Sequence, residues 1–197
     1  VLAGLIKRLA VDHLHIVGDI FDRGPCADRI MDLLMTYHSI DIEWGNHDIL
    51  WMGAAAGNRA CIATVIRNNL KYDNMKILEN SYGISLRNLT LFAEKIYPGI
   101  DPMKAALKEI SVLLFKLEGQ VILRNPDYKM EDKLLLHKVD VARQIVEIDG
   151  KEYEIKEEEF PTVNFAAENV EDVYQLTEEE EKVIEGLQMA FVNSIRL

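Results

Sequence analysis

Cysteine is scarce in this chain. Its two cysteines, Cys26 and Cys61, make neither a disulfide framework nor a C-x-x-C pair, and a reducing, cytoplasmic setting is expected. Long apolar runs are missing too. No stretch approaches the ~18 consecutive apolar residues of a membrane span, so no membrane partner is expected. The first ten residues carry Lys7 and Arg8 inside their apolar pattern and lack the basic-then-apolar order of a signal peptide. The chain opens on Val1 rather than a methionine, which suggests a piece of a longer polypeptide. Basic residues are outnumbered, 22 Lys and Arg against 33 Asp and Glu, for a net charge of −11. No stripe of Lys and Arg interleaves with aromatics, so no nucleic-acid partner is expected. The acidic excess is concentrated: Glu147 to Glu181 holds 14 acids and two bases, Lys151 and Lys156, as a solvated surface would. No internal repeat and no low-complexity linker interrupts the sequence.

What is present suffices for one large or two small domains: 197 residues, 49% of them hydrophobic. Leu2 to Ala10 reads as a helix. His13 to Val17 is short, β-rich and partly alternating, hence a strand. Gly18 to Gly24 is a loop, and Pro25 suits the first turn of a helix carrying Ile30, Leu33, Leu34 and Tyr37 at helical spacing. Ile40 to Trp44 is a second strand, and Gly45 to Asp48 a second loop. This is the order of a βαβ unit in a parallel sheet, with both loops expected at the carboxyl edge, where ligands gather.

From Ile49 to about Arg124 the signal is helical, broken near Gly57, Gly83 and Tyr97 to Ile100. Asp101 can cap the last helix, with Pro102 at its first position and Leu107, Ile110, Leu114, Leu117 and Val121 as its buried stripe. Asp149-Gly150 marks a hairpin between Val146 and Ile155. Thr177 to Glu180 is a capping box opening a helix whose apolar face is Val183, Ile184, Leu187, Phe191 and Ile195.

Two motifs carry chemistry: Gly18-Asp-Ile-Phe-Asp-Arg-Gly24 and Gly45-Asn-His-Asp48. Each follows a strand, and 27 positions separate Asp19 from Asn46, room for one crossover helix and the next strand. Hard divalent ions take oxygen or imidazole ligands, and a carboxylate can bridge two of them. Asp19 can supply the bridge, and Asn46 a neutral amide oxygen. Two ions about 3.5–4 Å apart can share a hydroxide and hold phosphate oxygens. His47 can protonate a leaving alkoxide, Asp22 can hold its other nitrogen and keep it cationic, and Arg23 can grip phosphate through paired hydrogen bonds. Among the remaining candidates, His13 and His15 share one strand face and are read as packing residues. Trp44, Trp51 and Met52 are read as core, and His137 as incidental.

The two motifs resemble the metallophosphatase pattern G-D-x-x-D-R-G followed by G-N-H-[DE]. The resemblance makes Asp19 the bridging ligand, Asn46 a ligand of the second metal and His47 the acid. Trp44 stands where Ser/Thr protein phosphatases usually carry Arg, and Asp48 where they carry Glu. The longer stretches Asp12 to Asp19, Ile42 to Asn58, Arg124 to Asp132 and Tyr174 to Glu181 resemble the class III fructose-1,6-bisphosphatases of Firmicutes. That implies an α/β fold: part of a metallophosphatase β-sandwich core at 1–55, a helical insertion at 56–125 and a small α+β segment with a hairpin and C-terminal helix at 126–197. It also implies hydrolysis of the 1-phosphate of fructose 1,6-bisphosphate in gluconeogenesis, with Mn²⁺ or Mg²⁺ and a sugar bisphosphate as partner; a homo-oligomer is compatible with it. The superfamily's D-x-H motif has no counterpart before residue 19, and its later histidines are absent. The chain is therefore expected to hold about half of the metal ligands and to turn over little by itself. A Ser/Thr protein phosphatase or other metallophosphoesterase, and a non-catalytic binding or scaffold role, are the alternatives.

Overall fold

A computed structural model describes residues 2–156 and 159–197. The chain forms two compact units: one contains residues up to Ser85 together with Ala190–Leu197, the other Leu86–Met189.

The first unit begins with helix α1 (Leu2–Ala10), strand β1 (Leu14–Ile16), helix α2 (Ala27–Leu34) and strand β2 (Ile40–Ile42). The strands pair in parallel, with Leu14 opposite Ile40, His15 opposite Asp41 and Ile16 opposite Ile42, so the βαβ order read from the sequence is real. Each strand is only three residues long. Two helices follow, α3 (Asn46–Ala55) and α4 (Arg59–Lys71), then a short π-helical turn at Ile77–Ser81. Asn58 ends the α3–α4 connection and caps α4, its side chain accepting from the Cys61 N–H at 3.0 Å. The buried centre of the unit includes Trp51, Ala54, Ile62, Ile66, Leu78 and Ile84. Trp51 collects aromatic neighbours, its ring centroid 4.8 Å from Phe21, 5.5 Å from Tyr82 and 6.5 Å from Phe191.

The second unit is built on α5 (Arg87–Ile96) and the long α6 (Pro102–Arg124). Asp101 caps α6 as its sequence predicts, accepting from Met103 and Lys104 N–H at 3.1 Å each, with Pro102 in the first turn. Three short strands, β3 (Val139–Asp140), β4 (Ile145–Ile148) and β5 (Lys151–Glu154), form an antiparallel sheet turned at Asp149-Gly150. A single-turn α7 (Val170–Val173) precedes α8 (Glu178–Val192). The capping box forms: Thr177 N–H donates to Glu180 Oε2 at 2.6 Å, and Glu180 N–H to Thr177 Oγ1 at 3.2 Å. Helix α8 stops at Val192, leaving Ile195 beyond it and fully exposed, off the expected apolar face.

Helix α6 buries more than its apolar stripe. Lys116 is fully buried and bonds both carboxylate oxygens of Glu180, at 2.9 and 2.7 Å, and the Thr162 carbonyl at 2.6 Å. Two turns earlier on the same side, Glu109 is also fully buried, and neither of its oxygens has a hydrogen-bond partner. Burial first, and the charge of Glu180 second, push its pKa up to about 7.

The expectation of a β-sandwich core is overturned. The described residues are predominantly helical, with one two-stranded and one three-stranded sheet. A sandwich needs two sheets packed face to face across a shared core. Here β1–β2 and β3–β5 belong to different units, and each unit fills its interior with helices instead. Among the described residues, no helix is long and apolar enough to cross a membrane.

Candidate active site

Both motifs lie where the parallel strands end, and the second is not a loop. Gly45 is the N-cap of α3, and Asn46, His47 and Asp48 are its first turn. The Gly45-to-Asp48 spacing is that of a capping box, and Asp48 does what such a residue does: its Oδ2 accepts the Gly45 N–H at 3.0 Å. Its Oδ1 accepts the Phe21 N–H, also at 3.0 Å. Asp48 is 1% exposed, so one buried carboxylate ties the first motif to the second. Sequence reasoning missed this residue, although the N-cap-to-third-residue spacing could have revealed it.

The first motif turns through two consecutive left-handed residues, Gly18 at φ 88° and Asp19 at φ 53°. Gly18 has no substitute there, since a Cβ would fall 2.5 Å from the Gly45 nitrogen. Asp19 is a non-glycine in a sparsely populated region, an arrangement typical of functional sites. Its Oδ1 accepts the His47 N–H at 3.2 Å, so the carboxylate sits at the N-terminus of α3, where its charge is favoured. A Cβ on Gly45 would lie 2.1 Å from that oxygen.

His47 Nε2 is 3.0 Å from Asp22 Oδ1, and Arg23 Nε is 3.2 Å from the same oxygen. The imidazole is largely shielded, with 21% of its side chain exposed. The Arg23 guanidinium lies over the Tyr72 ring, 5.0 Å from its centroid. Phe21, between Asp19 and Asp22, packs on Trp51 and so anchors the loop to α3. Asp19, Asp22, Arg23, Asn46 and His47 are thus brought to one sheet edge.

Divalent metal fits this site only in part. Mg²⁺ takes about six ligands. Asp48 is held by two backbone N–H groups and Asp22 by His47 and Arg23, so Asp19 and Asn46 are left to supply oxygens. Among the described residues, no group of three or more His, Cys, Asp or Glu side chains is arranged to hold a metal ion.

The remaining candidates lie elsewhere. His13 and His15 do not pack as expected; both are exposed and share Asp41, at 2.6 and 2.8 Å, and the His15 hydrogen bond to Asp41 raises the His15 pKa. Of the three residues read as core, Trp51 is buried, but Trp44 and Met52 are 43% and 51% exposed. His137 bonds the Tyr174 hydroxyl through Nδ1 at 3.2 Å. A cleft beside His47 and Asp22 is walled by Asn68, Asn69, Tyr72 and Asn74, none of which sequence reasoning singled out. Nothing in a helix pattern marks which of its polar residues will face another motif.

Two phosphoesterase-type motifs therefore meet at the carboxyl ends of two parallel strands. The family model of Firmicute fructose-1,6-bisphosphatase matches residues 1–197, and the chain belongs to that family. It is 46% identical to the class 3 fructose-1,6-bisphosphatase of Listeria innocua, covering 100% of this chain and 32% of the relative. It is also 46% identical to a class 3 enzyme of Clostridium beijerinckii, covering 98% and 31%, and 44% identical to that of Phocaeicola vulgatus, covering 100% and 32%. The chain thus spans about a third of the length of the curated relatives it matches. No solved structure matches it.

Proposed function

We propose that this chain carries part of the active site of a fructose-1,6-bisphosphatase, which hydrolyses the 1-phosphate of fructose 1,6-bisphosphate to fructose 6-phosphate and phosphate. The activity for which the relatives are named supports the substrate. The observation that carries the chemistry is the His47–Asp22 pair, 3.0 Å apart, with Arg23 on the same carboxylate.

Asp22 engages Nε2 of His47 and fixes the ring, which leaves Nδ1 as the nitrogen that gives up a proton. As water adds to phosphorus, the phosphorus–oxygen bond to the sugar breaks and the departing oxygen takes the Nδ1 proton, avoiding release of a free alkoxide. Arg23 is placed to hold the phosphoryl oxygens as their charge changes. A bound Mn²⁺ or Mg²⁺ would polarise phosphoryl oxygens and acidify water; Asp19 and Asn46 are the residues here that would contribute ligands to it, alongside others this chain does not supply. Asp48 does no chemistry in this reading and holds the two motifs in register.

The test is phosphate release from fructose 1,6-bisphosphate with Mn²⁺ by the whole gene product that carries this chain, and by its His47→Ala form. A general acid contributes about 10²–10⁴-fold, so kcat should fall by that order while metal content stays unchanged. Turnover unaffected by His47→Ala would remove the acid assignment. Hydrolysis of phosphopeptides but not of the bisphosphate would move the enzyme to the protein phosphatases.

A further inference from the structure

Helix α6 carries two ionisable residues into the dry interior of the second unit, and only one of them is satisfied there. An ammonium has three protons to give. Lys116 gives two to Glu180, at 2.9 and 2.7 Å, and the third to the Thr162 carbonyl at 2.6 Å. Glu180 is more than a counter-ion. Its Oε2 also accepts the Thr177 N–H at 2.6 Å and so closes the capping box of α8. One fully buried carboxylate thus docks the start of α8 onto α6, and Lys116 ties the segment at Thr162 to the same point.

Glu109, two turns before Lys116, is fully buried, and neither of its oxygens has a partner. The groups that act on it come from three elements: Glu180 from α8, Tyr97 from the end of α5 and Lys116 from α6 itself. Lys116 has no proton left for it. The Tyr97 hydroxyl and Thr162 Oγ1 are likewise buried and unpartnered, and both residues touch or act on the Lys116–Glu180 pair.

The two protonation states of Glu109 fare differently in these surroundings. A neutral carboxyl has one proton to donate, and Glu180 has an acceptor position free: its Oε2 takes Lys116 and Thr177, but its Oε1 takes Lys116 alone. An ionised Glu109 finds at most the Tyr97 and Thr162 hydroxyls as donors, and it faces the like charge of Glu180 in an interior that screens poorly.

We infer that Glu109 is a pH-sensitive latch, which when protonated bridges to Glu180 and holds the start of α8 on α6, and when ionised repels Glu180 and releases it. Closed, the latch keeps its proton up to about pH 7, whereas opened to water the same carboxyl gives it up near 4.5. Opening therefore becomes easier as pH rises between those values and levels off above them.

Hydrogen exchange read by mass spectrometry tests this in the whole gene product that carries the chain. The peptide to follow covers residues 175–184, at pH 6 and pH 8, corrected for the intrinsic exchange rate. The parent should lose about tenfold in protection between the two, because about one pH unit of the window lies between them and each unit is tenfold. Glu109→Gln, which keeps the shape and cannot ionise, should show no such loss. Tyr97→Phe, which removes a donor open to the ionised form, should show a larger one. The loss should not steepen with low concentrations of urea, since a local opening exposes little surface. An equal loss in Glu109→Gln, or no loss in the parent, overturns the inference. A loss that steepens with urea overturns it too, since α8 would then be exchanging through unfolding of its whole unit.

Discussion

Two acids in this chain show how context decides what a carboxylate does. Asp48 is buried but receives two backbone N–H bonds, at 3.0 Å each, and serves as a clamp between motifs. Glu109 is equally buried and receives none. With its carboxyl raised from an ordinary value near 4.5 to about 7, the folded protein binds a proton there that the unfolded chain releases. Between about pH 4.5 and 7 the native state holds more protons, so this group makes stability fall as pH rises, and the penalty is complete above pH 7. Glu109→Gln removes the titration. Urea denaturation should find the variant more stable than the parent by roughly 3 kcal/mol at pH 8, with the difference vanishing near pH 4. A difference independent of pH would place the charged form of Glu109 in a better environment than its neighbours provide.

At the scale of elements, termini matter more than interiors. Helix α3 begins where the second motif was read as a loop, and its first turn presents Asn46, His47 and Asp48. Helix α8 begins with a complete capping box. Helix α6 is 23 residues long and relies on Asp101, which satisfies two N–H groups that no helical carbonyl can reach. Asp101→Ala should therefore cost about 1 kcal/mol, read as a lower urea midpoint with an unchanged slope. A change in the slope instead would mean that α6 frays far beyond its first turn.

For the whole molecule, the decisive feature is how few possible metal ligands the described residues assemble. Parallel strands are normally covered on both faces, yet Val17, just past β1, is 79% exposed and Met35, just past α2, 80%. The chain matches about a third of the length of its relatives, and Asp19 and Asn46 would supply two ligands where a hard cation wants about six. Adding millimolar Mn²⁺, or removing metal with EDTA, should then move the thermal midpoint of this chain by no more than about one degree, because weak binding shifts the folding equilibrium little. A stabilisation of many degrees would demand a ligand set that the described residues do not assemble.

The sequence by itself determined the local rules: the βαβ order, the Asp101 and Thr177 caps, the Asp149-Gly150 hairpin and the residues of the two motifs. Each depends on neighbours within a few positions, where spacing is geometry. The tertiary structure alone decided that the described residues form no β-sandwich, since a motif records the neighbourhood of a site and not the number of strands around it. It also decided that Trp44 faces solvent while Trp51 is core, that Lys116 and Glu180 meet 64 residues apart in a dry interior, and that Asn68 and Tyr72 stand beside His47. Those placements follow from which faces pack together, a property of the assembled chain that no single helix or strand pattern contains.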